Sequence, residues 1–185
     1  MPKLLLPSDI KLDYSLLPSV KQKKISLKKT KHYHKHRRTI PNIIRSRIDE
    51  HEIVYGARAL NKRFPPYLDK YTEDYDIYTP HPKRDAHETE QALDKRFGGD
   101  FFYVEPARHP NTFRVKSHTD GSVAADYTKP EQKIPYDMIG DVKYVKLGFV
   151  KKHIHKTLRD PEASYRHQKD LDVLNRIKLY ERMKK

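Results

Sequence analysis

The chain has 185 residues, no cysteine and a formal net charge of +14 at pH 7. This length suits one domain with a modest hydrophobic core. The absence of cysteine excludes disulfides, thiolate metal ligands and cysteine nucleophiles. No apolar run approaches the length of a membrane span, and the apolar run at residues 4–6 is too short for a signal peptide. We therefore expect an intracellular protein that does not associate with membranes.

Most of the positive charge lies near the N-terminus. Residues 14–48 contain eleven Lys and Arg and no acidic residue, so residues 49–185 carry only +3. A block of like charge repels itself, which predicts an extended basic arm (residues 1–40) that binds nucleic acid or an acidic protein surface through residues 14–48. Such an arm also fits a chain that is part of a larger protein assembly. The candidate contact residues are Lys21, Lys23, Lys24, Lys28, Lys29, Lys31, Lys35, Arg37 and Arg38.

A core is predicted at residues 41–140. Pro41 is expected in the first turn of a helix. The next expected elements are a strand at 53–55, a short helix after Gly56, a strand at 74–78, a helix between Pro82 and Gly98, and strands at 101–104, 112–115 and 123–126. Residues 141–185 are predicted to form a helical tail, with Leu171, Leu174, Ile177 and Tyr180 on one apolar face.

Two aspartates of the strand at 74–78 are candidate metal ligands. Asp74 and Asp76 point to one face of the strand, whereas Tyr75 and Ile77 point into the core. Asp126 supplies a third carboxylate from another apolar run. Oxygen donors of this kind suit Mg²⁺, which can hold a triphosphate and activate an attacking hydroxyl. We therefore predict Asp74, Asp76 and Asp126 as catalytic and metal-binding residues.

The glycine turn before these carboxylates is a candidate phosphate-binding site. Gly56 lets backbone N–H groups approach the β- and γ-phosphates, and the helix that follows adds a favourable dipole. We predict Gly56, Ala57 and Arg58 as nucleotide-binding residues. For Arg58 the sequence leaves two alternatives open, since its side chain could reach a phosphate or lie on a solvated helix face.

An Asp-x-Asp pair is weak evidence on its own. Asp170 and Asp172 repeat the pattern in a predicted helix, where residues two apart diverge. For Asp74 and Asp76 as an isolated pair, solvated acids at a strand end are the better interpretation. Because Gly56 lies upstream and Asp126 downstream, we nevertheless prefer a metal site to solvated acids for this pair.

Four segments together resemble the nucleotidyltransferase superfamily that includes DNA polymerase beta, and most of all the poly(A)-polymerase-like proteins of large nucleocytoplasmic DNA viruses. They are VYGARALN (54–61), TEDYDIY (72–78), PARHPNTFRV (106–115) and AADY (124–127). Residues 165–177 are similar to a Lys-bearing helix of the same group. The resemblance implies an α+β fold with a small mixed sheet flanked by helices, Asp74 and Asp76 on two metal ions, and Asp126 on the ion that activates the nucleophile. Ala57 stands where the family usually has Gly or Ser.

The resemblance implies a metal-dependent nucleotidyltransferase with Mg²⁺ or Mn²⁺ as cofactor and an NTP as substrate. Its acceptor would be a nucleic-acid or protein hydroxyl, and its location the cytoplasm or a viral factory. The alternative is a non-catalytic component of a large assembly, such as a minor capsid protein of a large DNA virus. In that case the basic arm would bind neighbouring subunits or genome, and the protein would be in the virion.

Overall fold

The computed structural model of the chain describes the backbone of residues 20–184 and the side chains of residues 28–184. Within this part, seven strands form one sheet: β1 (Ile53–Tyr55), β2 (Tyr75–Tyr78), β3 (Phe102–Pro106), β4 (Thr112–Ser117), β5 (Val123–Thr128), β6 (Tyr136–Ile139) and β7 (Val142–Val145). Their order is β3-β4-β5-β2-β1-β7-β6. The β2–β5 and β1–β7 pairs are parallel and the other neighbours are antiparallel. The expected α+β class and mixed sheet are confirmed.

Helices flank the sheet. Those in residues 20–184 are α1 (Val20–His36), α2 (Ile40–Arg45), α3 (Gly56–Asn61), α4 (Pro82–Phe97), α5 (Leu147–Thr157) and α6 (Ser164–Met183). None of them is both long and apolar enough to cross a membrane.

Helix α4 begins and ends where local chemistry predicts. Pro82 occupies its first turn, where a backbone N–H would have no hydrogen-bond partner within the helix and its absence therefore costs nothing. Gly98 ends the helix in the left-handed conformation, at φ 75°. The apolar side chains of α4 that are buried include Ala86, Leu93 and Phe97.

Helix α4 covers one face of the sheet. It contacts β3, β4 and β5, and the hydroxyl of Thr89 lies 2.6 Å from that of Tyr127. Side chains alternate between the faces of a strand. Tyr127 and Ile77 therefore point towards α4, and Asp126 and Asp76 point to the opposite face.

Helices α3, α5 and α6 form a second layer. Leu60, Phe64 and Ile177 are the buried centre of their contact. Helix α6 also brings Lys169 close enough to Asp76 for their charges to interact. This layer therefore borders the face of the sheet from which Asp76 projects.

Tyr33 anchors α1 to the other layer. Its side chain is 1% exposed, and its ring centroid lies 5.9 Å from that of Phe97 and 6.1 Å from that of Phe102. Its hydroxyl lies 2.9 Å from the Ser122 hydroxyl. Helix α1 thus packs on the α4 side, with part of the core beneath it.

The prediction of an extended arm is wrong for residues 20–36, which are helical. Lysine is a good helix former, and the lysines of α1 described with side chains face water, where their mutual repulsion is weak. Burial of Tyr33 outweighs this repulsion. The predicted boundary near residue 40 is also displaced, because Tyr33 is already in the core. Residues 1–19 lie outside the described part of the chain.

The predicted helical tail also differs from the structure. Residues 136–145 form a hairpin in which Ile139 pairs with Val142, and β7 pairs with β1, so that the hairpin lies at one edge of the sheet. The tail becomes helical only from Leu147. On its last helix Ile177 is buried as expected, whereas Leu171 is 42% exposed and lies outside the apolar face.

We expect Tyr33→Ala to lower the free energy of unfolding by about 3–5 kcal/mol, because a buried ring is lost. Tyr33→Phe keeps the ring and loses the contacts of the hydroxyl with Ser122 and Asp120, so its expected cost is only about 1–2 kcal/mol. Urea unfolding measures both. His34→Ala, at an exposed position of the same helix, is the control. Equal costs for Tyr33→Ala and His34→Ala would mean that α1 does not pack on the sheet.

Candidate active site

A row of four side chains crosses the middle of the sheet on the face opposite to α4. Asp76 of β2 is paired with Asp126 of the parallel strand β5. Tyr55 of β1 pairs with Asp76 on one side, and Arg114 of β4 pairs with Asp126 on the other. Paired residues of neighbouring strands point to the same side. The register therefore places two carboxylates next to each other, and Asp74 directly precedes β2.

Asp76 lies in an unfavourable electrostatic environment. Burial, together with the negative charges of Asp74 and Asp126, raises the pKa of Asp76 to about 7, while Lys169 and Arg114 act in the opposite direction. Carboxylates in this arrangement are stabilised by a proton or by a cation that they share. The negative charges of the three aspartates predicted from the sequence therefore interact in the structure.

These residues fit a hard divalent cation such as Mg²⁺ or Mn²⁺. All the donors are carboxylate oxygens, and a cation between them would relieve the repulsion that acts on Asp76. Among residues 28–184, however, no three Asp, Glu, His or Cys side chains are already gathered as a ligand group. The partner of Asp126 accounts for part of this difference.

Asp126 is engaged by Arg114. The Arg114 guanidinium donates from Nε to Oδ1 and from Nη2 to Oδ2 of Asp126, each at 2.7 Å. A bidentate pair of this kind is strong and fixes the orientation of the carboxylate. A metal ion would have to share Asp126 with Arg114 or displace it. Sequence reasoning missed this residue, although a lone arginine on the polar face of a strand beside an aspartate-bearing strand is the pattern that would indicate it.

Gly56 provides the space in which Asp76 lies. Its φ is +67°, a conformation that favours glycine, and a Cβ built on it would lie 1.9 Å from Oδ2 of Asp76. The predicted glycine turn is therefore directly against the carboxylate. Ala57, also predicted as a nucleotide-binding residue, is half-buried in the first turn of α3.

Arg58 has a role that neither sequence alternative described. Its Nε donates to the Asp74 carbonyl at 2.5 Å, and its Nη2 donates to the Glu73 carbonyl at 2.8 Å and the Thr72 carbonyl at 3.3 Å. The guanidinium also lies 3.9 Å from the centre of the Tyr75 ring. Arg58 thus holds the segment that carries Asp74.

Helix α6 adds positive charge on the aspartate side. Lys169 interacts electrostatically with Asp76, and Arg166 does so with Tyr78, two residues further along β2. Lys169 and Arg166 are three residues apart, so they share one side of the helix. Sequence reasoning identified the Lys-bearing helix but did not select either residue.

Most of the predicted polyanion-binding residues whose side chains the structure describes lie on the α4 side of the sheet, opposite the aspartates. Lys28, Lys29, Lys31, Lys35 and Arg38 are exposed on α1 and the turn after it, and α1 packs on the α4 side. Arg37 instead forms an ion pair with Glu73. The side chains of Lys21, Lys23 and Lys24 lie outside the described residues.

Two glycines test the contact with Asp76. We expect both Gly56→Ala and Gly121→Ala to cost about 1–2 kcal/mol for a side chain in the left-handed region, since φ is +67° and +69°. A Cβ at Gly121 would meet nothing within 4 Å, so only Gly56→Ala should lose a further 1–3 kcal/mol, roughly, from the clash with Asp76. Urea unfolding of both variants measures the difference. Equal losses would show that Gly56 does not lie against Asp76.

No protein-family model and no curated protein matches the sequence. Among solved structures, the polyadenylate synthase of Megavirus is similar, with a TM-score of 0.65 over 97% of this chain at 22% sequence identity. The chain spans 39% of the length of that protein. At this identity the comparison concerns the fold, and it agrees with the resemblance in the motifs. The chain therefore has a nucleotidyltransferase-like fold, which it shares with that part of the polyadenylate synthase.

Proposed function

We propose that the chain is a metal-dependent nucleotidyltransferase, which transfers a nucleotide from an NTP to a hydroxyl group. The observation that carries this proposal is the row of carboxylates. Asp76 and Asp126 are paired across two parallel strands, and burial with neighbouring negative charge raises the pKa of Asp76 to about 7. A buried carboxylate such as Asp76, beside two further carboxylates, suits a function that brings in a cation.

The chemistry of the metal is to neutralise phosphate charge and to lower the pKa of the attacking hydroxyl. Asp74, Asp76 and Asp126 are the residues that would hold it. Lys169 and Arg166 are placed to offset the negative charge of a triphosphate on the same side.

Three further groups would keep the site in position. Arg58 fixes the backbone that leads into Asp74, and Arg114 orients Asp126. Gly56 allows the backbone to lie close to Asp76. These residues orient the reacting groups rather than react themselves.

Nucleic acid is the acceptor that we favour over a protein hydroxyl. The similar Megavirus protein is named a polyadenylate synthase, and the net charge of this chain is +14, which favours a polyanionic partner. The basic residues of α1 would then add non-specific affinity from the opposite side of the sheet.

A second candidate function is the non-catalytic one, a structural component of a large assembly such as a virion. The bidentate pair of Arg114 with Asp126 favours it, because both oxygens of the third predicted ligand are already occupied. Under this proposal the exposed lysines of α1 bind neighbouring subunits or genome, and NTPs are not turned over.

We expect Asp74→Asn combined with Asp76→Asn to lower the Mn²⁺-dependent affinity for NTPs by at least about tenfold, because two ligands are lost. Isothermal titration calorimetry with each NTP, with Mn²⁺ or with a chelator, measures this. The loss should not reflect unfolding, since removal of a repelled charge at Asp76 leaves the fold at least as stable.

The control is Asp100→Asn with Asp172→Asn, which removes the same charge from side chains that are 79% and 52% exposed. NTP affinity that is unchanged in the Asp74 and Asp76 variant would contradict the proposed site. Labelled nucleotide incorporated into an RNA oligonucleotide reports transfer, and its absence despite metal-dependent NTP binding would support the structural candidate.

A further inference from the structure

A basic cleft with a volume of about 920 Å³ lies between α5 and residues 131–135, which follow β5. Lys152 and Lys156 of α5 and Arg159 in the next turn line one wall, at helical spacing i, i+4 and i+7. Lys133 lines the cleft from residues 131–135. These four residues are referred to below as the cleft cations.

The cleft cations lack acidic partners. Among residues 28–184 none of them forms an ion pair, whereas Lys151, directly before Lys152, lies 2.9 Å from Glu181. Glu131 is the one acidic residue in the lining. His153 and His155 also line the cleft and add no negative charge. The cleft therefore has an excess of positive charge that suits a polyanion.

The cleft opens on the same face of the sheet as the aspartates. Helix α5 belongs to the layer of α3, α5 and α6, which borders the face of the sheet from which Asp76 projects. The other wall, residues 131–135, follows β5, the strand that carries Asp126. A chain bound in the cleft could thus place its end beside Asp76.

Helix α1 does not lie on the face of the sheet that carries the aspartates. It packs through Tyr33 against Phe97 of α4 and Phe102, on the opposite face of the sheet. Its exposed lysines are therefore separated from Asp76 by the sheet itself. Of the two basic surfaces, the cleft is the one whose helix packs over the face of the sheet from which Asp76 projects.

We propose that the cleft binds the acceptor of the transfer reaction as a single-stranded nucleic acid, with its phosphates on the cleft cations and its terminal hydroxyl at the aspartates. The role as acceptor site rests on the proposed function. A nucleic acid strand fits better than an acidic protein for two reasons. Cations one helical turn apart, about 5.4 Å, follow a regular backbone of phosphates, and Phe149 in the lining offers a ring on which a base can stack.

The test compares two variants of the full chain with equal charge change. Lys152→Gln with Lys156→Gln removes two cleft cations, and Lys31→Gln with Lys35→Gln removes two exposed lysines of α1. Fluorescence anisotropy with a labelled single-stranded RNA of about 15 nucleotides measures affinity as a function of salt. We expect the cleft variant to bind at least about tenfold more weakly with a salt slope lower by about two, and the α1 variant to lose less than about threefold.

Three results would overturn the proposal: no RNA binding by the unmodified chain, an equal or larger loss in the α1 variant, or a polyglutamate peptide that competes as well as RNA. The last result would assign the cleft to an acidic protein.

The Asp74→Asn and Asp76→Asn variant separates this proposal from the proposed function. The chain could bind RNA through Lys152 and Lys156 and yet show no transfer activity. In that case the cleft would remain a nucleic-acid site, and its role in delivering an acceptor would be overturned. If the cleft variant transfers nucleotides with an unchanged KM for RNA, the proposed function stands and the proposal that the cleft binds the acceptor is overturned.

Discussion

The parallel pairing of β2 with β5 is the constraint on which the rest of the structure depends. It sets Asp76 opposite Asp126, an arrangement that opposes folding because two desolvated carboxylates repel each other. The opposite face supplies the compensation, since Ile77 and Tyr127 are buried there. A slip of one residue would exchange the two faces. The hydrophobic layer under α4 therefore holds the charges together.

The parts of the fold that could be predicted from the sequence are those that local chemistry decides. Pro82 and Gly98 limit α4 through their own backbone preferences, and alternation of polar and apolar residues defines β2 around Asp76. Asp74, Asp76 and Asp126 could also be predicted from local sequence as site residues. Each sits in or next to an apolar strand, where a carboxylate requires a partner or a function.

The features that could not be predicted depend on partners distant in sequence. Arg58 binds carbonyl groups of residues 72–74, and Arg114 is bound by Asp126 only because β4 and β5 are in that register. The position of α1 is a further example. Tyr33, His32 and His36 all contact Phe97, and the charge of the neighbouring lysines gives no indication of these contacts.

The anchoring of α1 by Tyr33 has a practical consequence for shortened versions of the protein. The charge pattern invites removal of the first forty residues as a dispensable appendage. Such a deletion would uncover the aromatic rings of Phe97 and Phe102, which are now 4% and 1% exposed, and contiguous apolar surface of this kind promotes aggregation. Insolubility of the trimmed chain would then reflect an opened core, and it would say nothing about whether the basic helix binds a partner.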